Sequence, residues 1–92
     1  MEEKFIALWL ENRRKAGERG IRLRPIAPAD AMAQARRSLT GSRCSDGFDA
    51  LAAKGLLQWS LEALVIDRRF TALFSDEEAN NALSHLLEAG YY

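Results

Sequence analysis

Few residues in this chain are equipped for chemistry. It has one histidine, His85, and one cysteine, Cys44. His85 stands in ANNALSHLLEAG, where helical spacing places Glu88 at i+3 and Asn81 at i−4, so the imidazole is expected on a polar, outward side. General acid–base work needs a second group aimed at the same substrate, and none is evident nearby. Cys44 stands in TGSRCS, directly after an arginine, in a stretch that reads as loop. A Cys44–His85 dyad would become credible only if the fold placed the two within hydrogen-bond reach in a cleft. No known nucleophile signature surrounds Cys44.

The acidic residues are explained without a ligand. Asp46 and Asp49 share one helical face, and Asp76, Glu77 and Glu78 cluster ahead of an apolar run. Both groups fall at expected helix starts, where carboxylates stabilise the exposed N–H ends. Neither has the alternating oxygen ligands of a calcium loop. Gly17 and Gly20 do not follow a strand and precede no Lys-Ser/Thr pair, so no phosphate-cradling loop is present. The expectation is no catalytic residue, no cofactor and no metal ligand.

The basic stretch ENRRKAGERGIRLRP, residues 11–25, is richer, with six Lys/Arg in fifteen positions. Net charge is zero overall, yet residues 1–45 hold ten Lys/Arg against five Asp/Glu, and residues 46–92 hold three against eight. The halves either pair inside one fold or present a dipolar surface that orients a partner. A nucleic-acid reader needs a positive surface plus an element that enters a groove or stacks on bases. The best helix-turn-helix candidate joins the second and third helices through residues 41–45, a turn longer than the usual three or four residues, and its second helix begins SDGFD, which sets Asp46 and Asp49 against phosphates.

The chain's 92 residues correspond to one helical domain over 1–92. A domain of this size buries roughly 60–65% of its unfolded surface, enough for one modest core. A single cysteine rules out an internal disulfide and points to a reducing, cytoplasmic setting. The N-terminal apolar run is short and follows acidic residues, unlike a signal peptide or a membrane span.

Helical periodicity dominates, and the predicted fold class is all-α: a small compact bundle of five to six short helices. Residues 3–16 carry Phe5, Ile6, Leu8, Trp9 and Leu10 as a wide apolar stripe, with Gly17 and Gly20 as stops. Residues 21–26 alternate apolar and basic, an extended piece that lays Ile21, Leu23 and Ile26 inward. Pro28 opens a second helix lined by Met32, Ala35 and Leu39. Ser45 is the expected cap of a third helix bearing Phe48 and Leu51, ended by Gly55. A fourth is expected over 58–66, with Leu57, Leu61, Leu64 and Val65 buried. Asp67 is the expected cap of a turn bearing Phe70, Leu73 and Phe74. Ser75 and Glu78 form a capping box for the last helix, with Ala79, Leu83, Leu86 and Leu87 inward and Asn80, Asn81, Ser84 and Glu88 outward.

This pattern predicts a non-catalytic protein-interaction module, of the kind found among adaptors, accessory subunits and small phage- or mobile-element-encoded inhibitors. The expected contact residues are Trp9, Arg13, Arg14, Arg22, Arg24, Arg36, Arg37 and Tyr92, since arginine beside aromatic residues suits protein interfaces. The partner is another protein or a second copy of the chain. The alternative is a nucleic-acid-binding regulator using the same arginines, and no membrane partner is expected.

Overall fold

The order of elements follows from where the chain can stop a helix. In the computed structural model, which describes residues 2–40 and 44–91, the fold is all-α, with no strand among the described residues. α1 (Glu2–Glu18) begins with Glu2 and Glu3 and has Lys15 in its last turn, matching the helix dipole. An extended segment, 21–27, leads through a 3₁₀ turn (Pro28–Asp30) into α2 (Ala31–Leu39). α3 (Phe48–Ala53), α4 (Leu61–Val65) and α5 (Asp76–Glu88) complete the bundle, with further 3₁₀ turns at Leu57–Trp59 and Thr71–Leu73. No described helix is long and apolar enough to cross a membrane.

Three helices end in the same way. The N–H groups of Ile21, Leu56 and Tyr91 donate to the carbonyls of Ala16, Leu51 and Leu86, each just past a glycine with positive φ. This is the Schellman closure, and it satisfies carbonyls that a helix end leaves open. The capping box forms as expected. Glu78 N–H donates to Ser75 Oγ at 3.1 Å, and Ser75 N–H donates to the Glu78 carboxylate at 2.8 Å.

One expected helix and two expected caps resolve differently. The 58–66 helix is interrupted at Ser60, whose hydroxyl donates to Leu57 O and accepts from Ala63 N–H, so a 3₁₀ turn precedes a short α4. Local hydroxyl bonding of this kind competes with helix continuation. Asp67 holds Arg69 through its backbone N–H and its guanidinium. Ser45 does not cap α3; Gly47 occupies that position. Gly47 has φ +78°, and a Cβ there would lie 2.2 Å from Leu23 Cδ2, so the turn and the extended segment pack closely only around glycine.

The core has two connected parts. Phe5 and Trp9 of α1 meet Ala35, Leu39, Leu61, Val65, Phe70 and Phe74, with Phe5 edge-on to both Phe70 and Phe74. Ala16, Ile21, Phe48, Leu51, Leu57 and Leu86 form the second part. The radius of gyration, 12.0 Å, matches the roughly 12 Å of a compact single domain of this length.

α5 differs from its expected register. Ala82, His85 and Leu86 are buried, whereas Leu83 and Leu87 are 38% and 54% exposed, so the helix is turned by about one residue around its axis. Asn81, expected outward, donates to Leu39 O at 2.6 Å and closes the end of α2. The observed register predicts that a Leu83→Gln/Leu87→Gln double variant keeps its stability to within ~0.5 kcal/mol per site. Leu86→Ala should cost about 2–5 kcal/mol. Urea denaturation followed by circular dichroism distinguishes this register from the one with Leu83 and Leu87 inside.

Candidate functional site

Burial draws attention first to Glu62. It is the second residue of α4, follows the core residue Leu61, and is only 1% exposed. An ionised carboxylate out of water costs several kcal/mol unless it is matched. Here the turn before α3 supplies the match. Ser45 N–H donates to Oε2 at 2.8 Å and the Ser45 hydroxyl donates to Oε1 at 2.6 Å. Ser45 therefore fastens the loop to α4.

α4 packs against α5, and this contact brings His85 to Glu62. The imidazole is 7% exposed, correcting the expectation of a solvated histidine. Its Nδ1 lies 3.8 Å from Glu62 Oε2, and its ring lies against Phe48. Cys44 completes the group: one donor atom each from Cys44, Glu62 and His85 all lie within 4.8 Å of one another. Cys44 and Ser45 also line a cleft of about 530 Å³ with Arg13, Arg24, Gln34 and Asp46.

The fold thus brings Cys44 and His85 within 4.8 Å of each other, and the electrostatics oppose a nucleophile. Burial pushes the Cys44 thiol up, and the charges of Glu62, Asp49 and Glu88 push it further. A reactive cysteine needs the opposite setting, with nearby positive charge that stabilises the thiolate. The signal for this group lay in α5, where a register with Ala82 and Leu86 inside carries His85 inward as well. Glu62 carries no such signal, being one acid among the apolar residues of LEALV.

The expected contact residues scatter. Trp9 is 3% exposed and belongs to the core, so it is unavailable to a partner. Its ring is covered by the Arg13 guanidinium at 5.6 Å. Arg13 donates to Arg24 O, pairs with Asp46 at 3.9 Å, and has a side chain only 11% exposed. Burial pulls its pKa down while Asp46 opposes the shift. Arg14 is held by Glu11 and Glu18 on its own helix. Arg36 covers Phe74, donates to Leu73 O at 2.9 Å and pairs with Glu78 at 3.5 Å. Arg22, Arg24 and Arg37 remain exposed, and none of their guanidinium groups forms an ion pair among the described residues. Tyr92, like Arg43, lies outside the described residues.

The extended segment is fastened rather than open. Arg24 N–H donates to Asp46 at 2.8 Å, its carbonyl accepts from Arg13, and Pro25 has no N–H. Little edge remains for adding a strand from a partner.

The raised thiol predicts slow chemistry at Cys44. In chelator-containing buffer at neutral pH, iodoacetamide should alkylate the folded protein more slowly than it alkylates free cysteine. Glu62→Gln, checked for folding by circular dichroism, should speed the reaction by up to roughly tenfold for each pKa unit regained. Mass spectrometry of the alkylated fraction against time gives both rates. Comparison with known proteins finds no matching family model, no matching curated protein and no matching solved structure.

Proposed function

We propose that the chain is a non-catalytic protein-interaction module of the reducing cytoplasm, which engages an acidic protein surface through arginines of its N-terminal half. One observation carries this reading. Arg22, Arg24 and Arg37 stay exposed with no intramolecular ion pair among the described residues, while Arg13, Arg14 and Arg36 are each paired with an acidic residue of the chain. A guanidinium is weakly hydrated and presents a rigid fork of donors, so an exposed one loses little when it docks on a carboxylate. The contact set is therefore narrower than the sequence pattern alone indicates. It excludes Trp9, and it treats Arg13 and Arg36 as structural covers of aromatic rings.

The thiol chemistry supports a binding role, because the cleft residue Cys44 is held toward its neutral form. A nucleic-acid role is the competing reading, and it draws on the same three arginines. Against it, α3 is only six residues long and carries Asp49 in its first turn, a poor element for a phosphate-lined groove.

The test compares wild type with an Arg22→Glu/Arg24→Glu/Arg37→Glu variant in affinity capture from cell lysate, with cross-linking to locate the contact. The reading expects a specific protein partner that the variant loses while its circular dichroism spectrum is unchanged. A partner retained by the variant would sink the chosen surface. Tight binding to unrelated DNA near 50 mM salt that collapses with added salt would replace it with the nucleic-acid reading. Light scattering shows whether the partner is a second copy of the chain.

A further inference from the structure

The cluster around Glu62 has no part in the partner-binding surface, and its composition calls for an explanation of its own. Cys44, Glu62 and His85 offer one sulfur, one oxygen and one nitrogen atom, all within 4.8 Å of one another. Two of the three side chains are more than nine-tenths buried. Among the described residues, no Lys or Arg forms an ion pair with Glu62.

We propose that Cys44, Glu62 and His85 form a three-ligand site for a zinc-class divalent metal ion. The remaining coordination position is filled by water or by a small ligand from the cleft that Cys44 lines.

Spacing supports this assignment. A direct N–H···O bond between imidazole and carboxylate needs 2.7–3.2 Å, and the pair stands at 3.8 Å. Tetrahedral zinc with bonds of about 2.1 Å to nitrogen and oxygen sets those two ligands roughly 3.4 Å apart, and its longer bond to sulfur sets a thiolate about 3.5 Å from either. The His85–Glu62 separation is therefore wider than a proton bridges and slightly wider than a metal requires. With the sulfur within 4.8 Å of both partners, closing the set needs no more than roughly an ångström of sulfur movement, well within the swing of a cysteine side chain about χ1.

The donor set supports it as well. Mixed sulfur, nitrogen and oxygen ligands suit a borderline ion such as zinc, while magnesium and calcium take oxygen alone. The surroundings resemble the outer shell of a metal centre, where ligating carboxylates are themselves hydrogen-bonded. Ser45 fixes both Glu62 oxygens, at 2.8 and 2.6 Å, and still leaves lone pairs on them. Three protein ligands with an open position is the pattern of a reactive or exchangeable zinc site rather than a sealed structural one. The ion also reverses the local electrostatics, since a thiolate beside a carboxylate is repelled without a cation and stabilised with one.

The experiment uses tag-free full-length protein, stripped with a chelator and kept reduced, titrated with Co²⁺ and then with Zn²⁺. The expected result is one ion per chain, thiolate-to-cobalt charge-transfer absorption, visible bands of tetrahedral intensity, and displacement of cobalt by zinc. Cys44→Ser should abolish the charge-transfer band and weaken zinc binding at least tenfold. Ser45→Ala should weaken it by about 10–100-fold while keeping the band, as for other outer-shell partners. Because Glu62→Gln and His85→Gln alter buried groups and can fail to fold, X-ray absorption at the zinc edge on wild type provides a second measurement. One sulfur with nitrogen and oxygen neighbours supports the site. No binding of either ion, binding indifferent to Cys44→Ser, or a first shell without sulfur overturns it.

Discussion

The carboxyl group buried at Glu62 is the constraint to which the rest of the bundle answers. α4 is five residues long, too short to hold its shape by its own hydrogen bonds. It is fixed instead by what surrounds it: Ser60 caps it, Leu61, Leu64 and Val65 sink into the core, and Ser45 reaches in to satisfy the carboxylate. Those two bonds from Ser45 tie the turn before α3 to α4, and the packing of α5 on α4 brings the His85 imidazole to 3.8 Å from the same carboxylate. An unmatched carboxylate would cost the domain several kcal/mol, a large fraction of the stability of a protein this size. Three elements must therefore arrive in one relative placement.

That placement sets the register of α5. With His85 turned toward Glu62, Ala82 and Leu86 must follow it inward, and Leu83 and Leu87 are left outside. The exposure of two leucines accompanies the burial of His85 beside Glu62. A half-exposed leucine forfeits about one or two kcal/mol of burial.

Local signals were legible in the sequence and long-range ones were not. The Ser75–Glu78 capping box and the glycine stops depend on residues within a few positions of one another, and they form as their spacing predicts. The inward faces of α1, α2 and α4 were also legible, because large apolar residues on one side leave a single reading. α5 was ambiguous, since Ala79, Ala82, Leu83, Leu86 and Leu87 furnish two overlapping stripes. Only Glu62, in another helix, decides between them. The Cys44–Glu62–His85 group was hidden for the same reason: its members come from a loop and two helices, and no spacing along the chain joins them. Ser45 shows the limit from the other side, for its residue type announces a helix cap and its hydroxyl goes to a buried acid instead.

The basic bias of the N-terminal half has to be divided before it can be read as a binding feature. Much of it is spent on the core. Arg13, Arg19 and Arg36 lie over Trp9, Trp59 and Phe74 at 5.6–5.7 Å, closing the edges of aromatic rings that a domain of this size cannot enclose fully. Asp46 and Glu78, from the acidic half, then neutralise two of these arginines, so the opposite charge biases of the two halves partly cancel across the fold. Arg22 and Arg24 stand two residues apart on the extended segment and Arg37 on α2, all three exposed and without an ion pair among the described residues. A phosphate backbone rewards a dense row of cations, because its affinity grows with each counterion released. Separated forks instead match the discrete carboxylates of a folded protein surface, where each bidentate contact depends on position as well as charge. Under the proposed reading, three exposed forks suffice for discrete carboxylate contacts and are too few for the counterion release that drives phosphate binding.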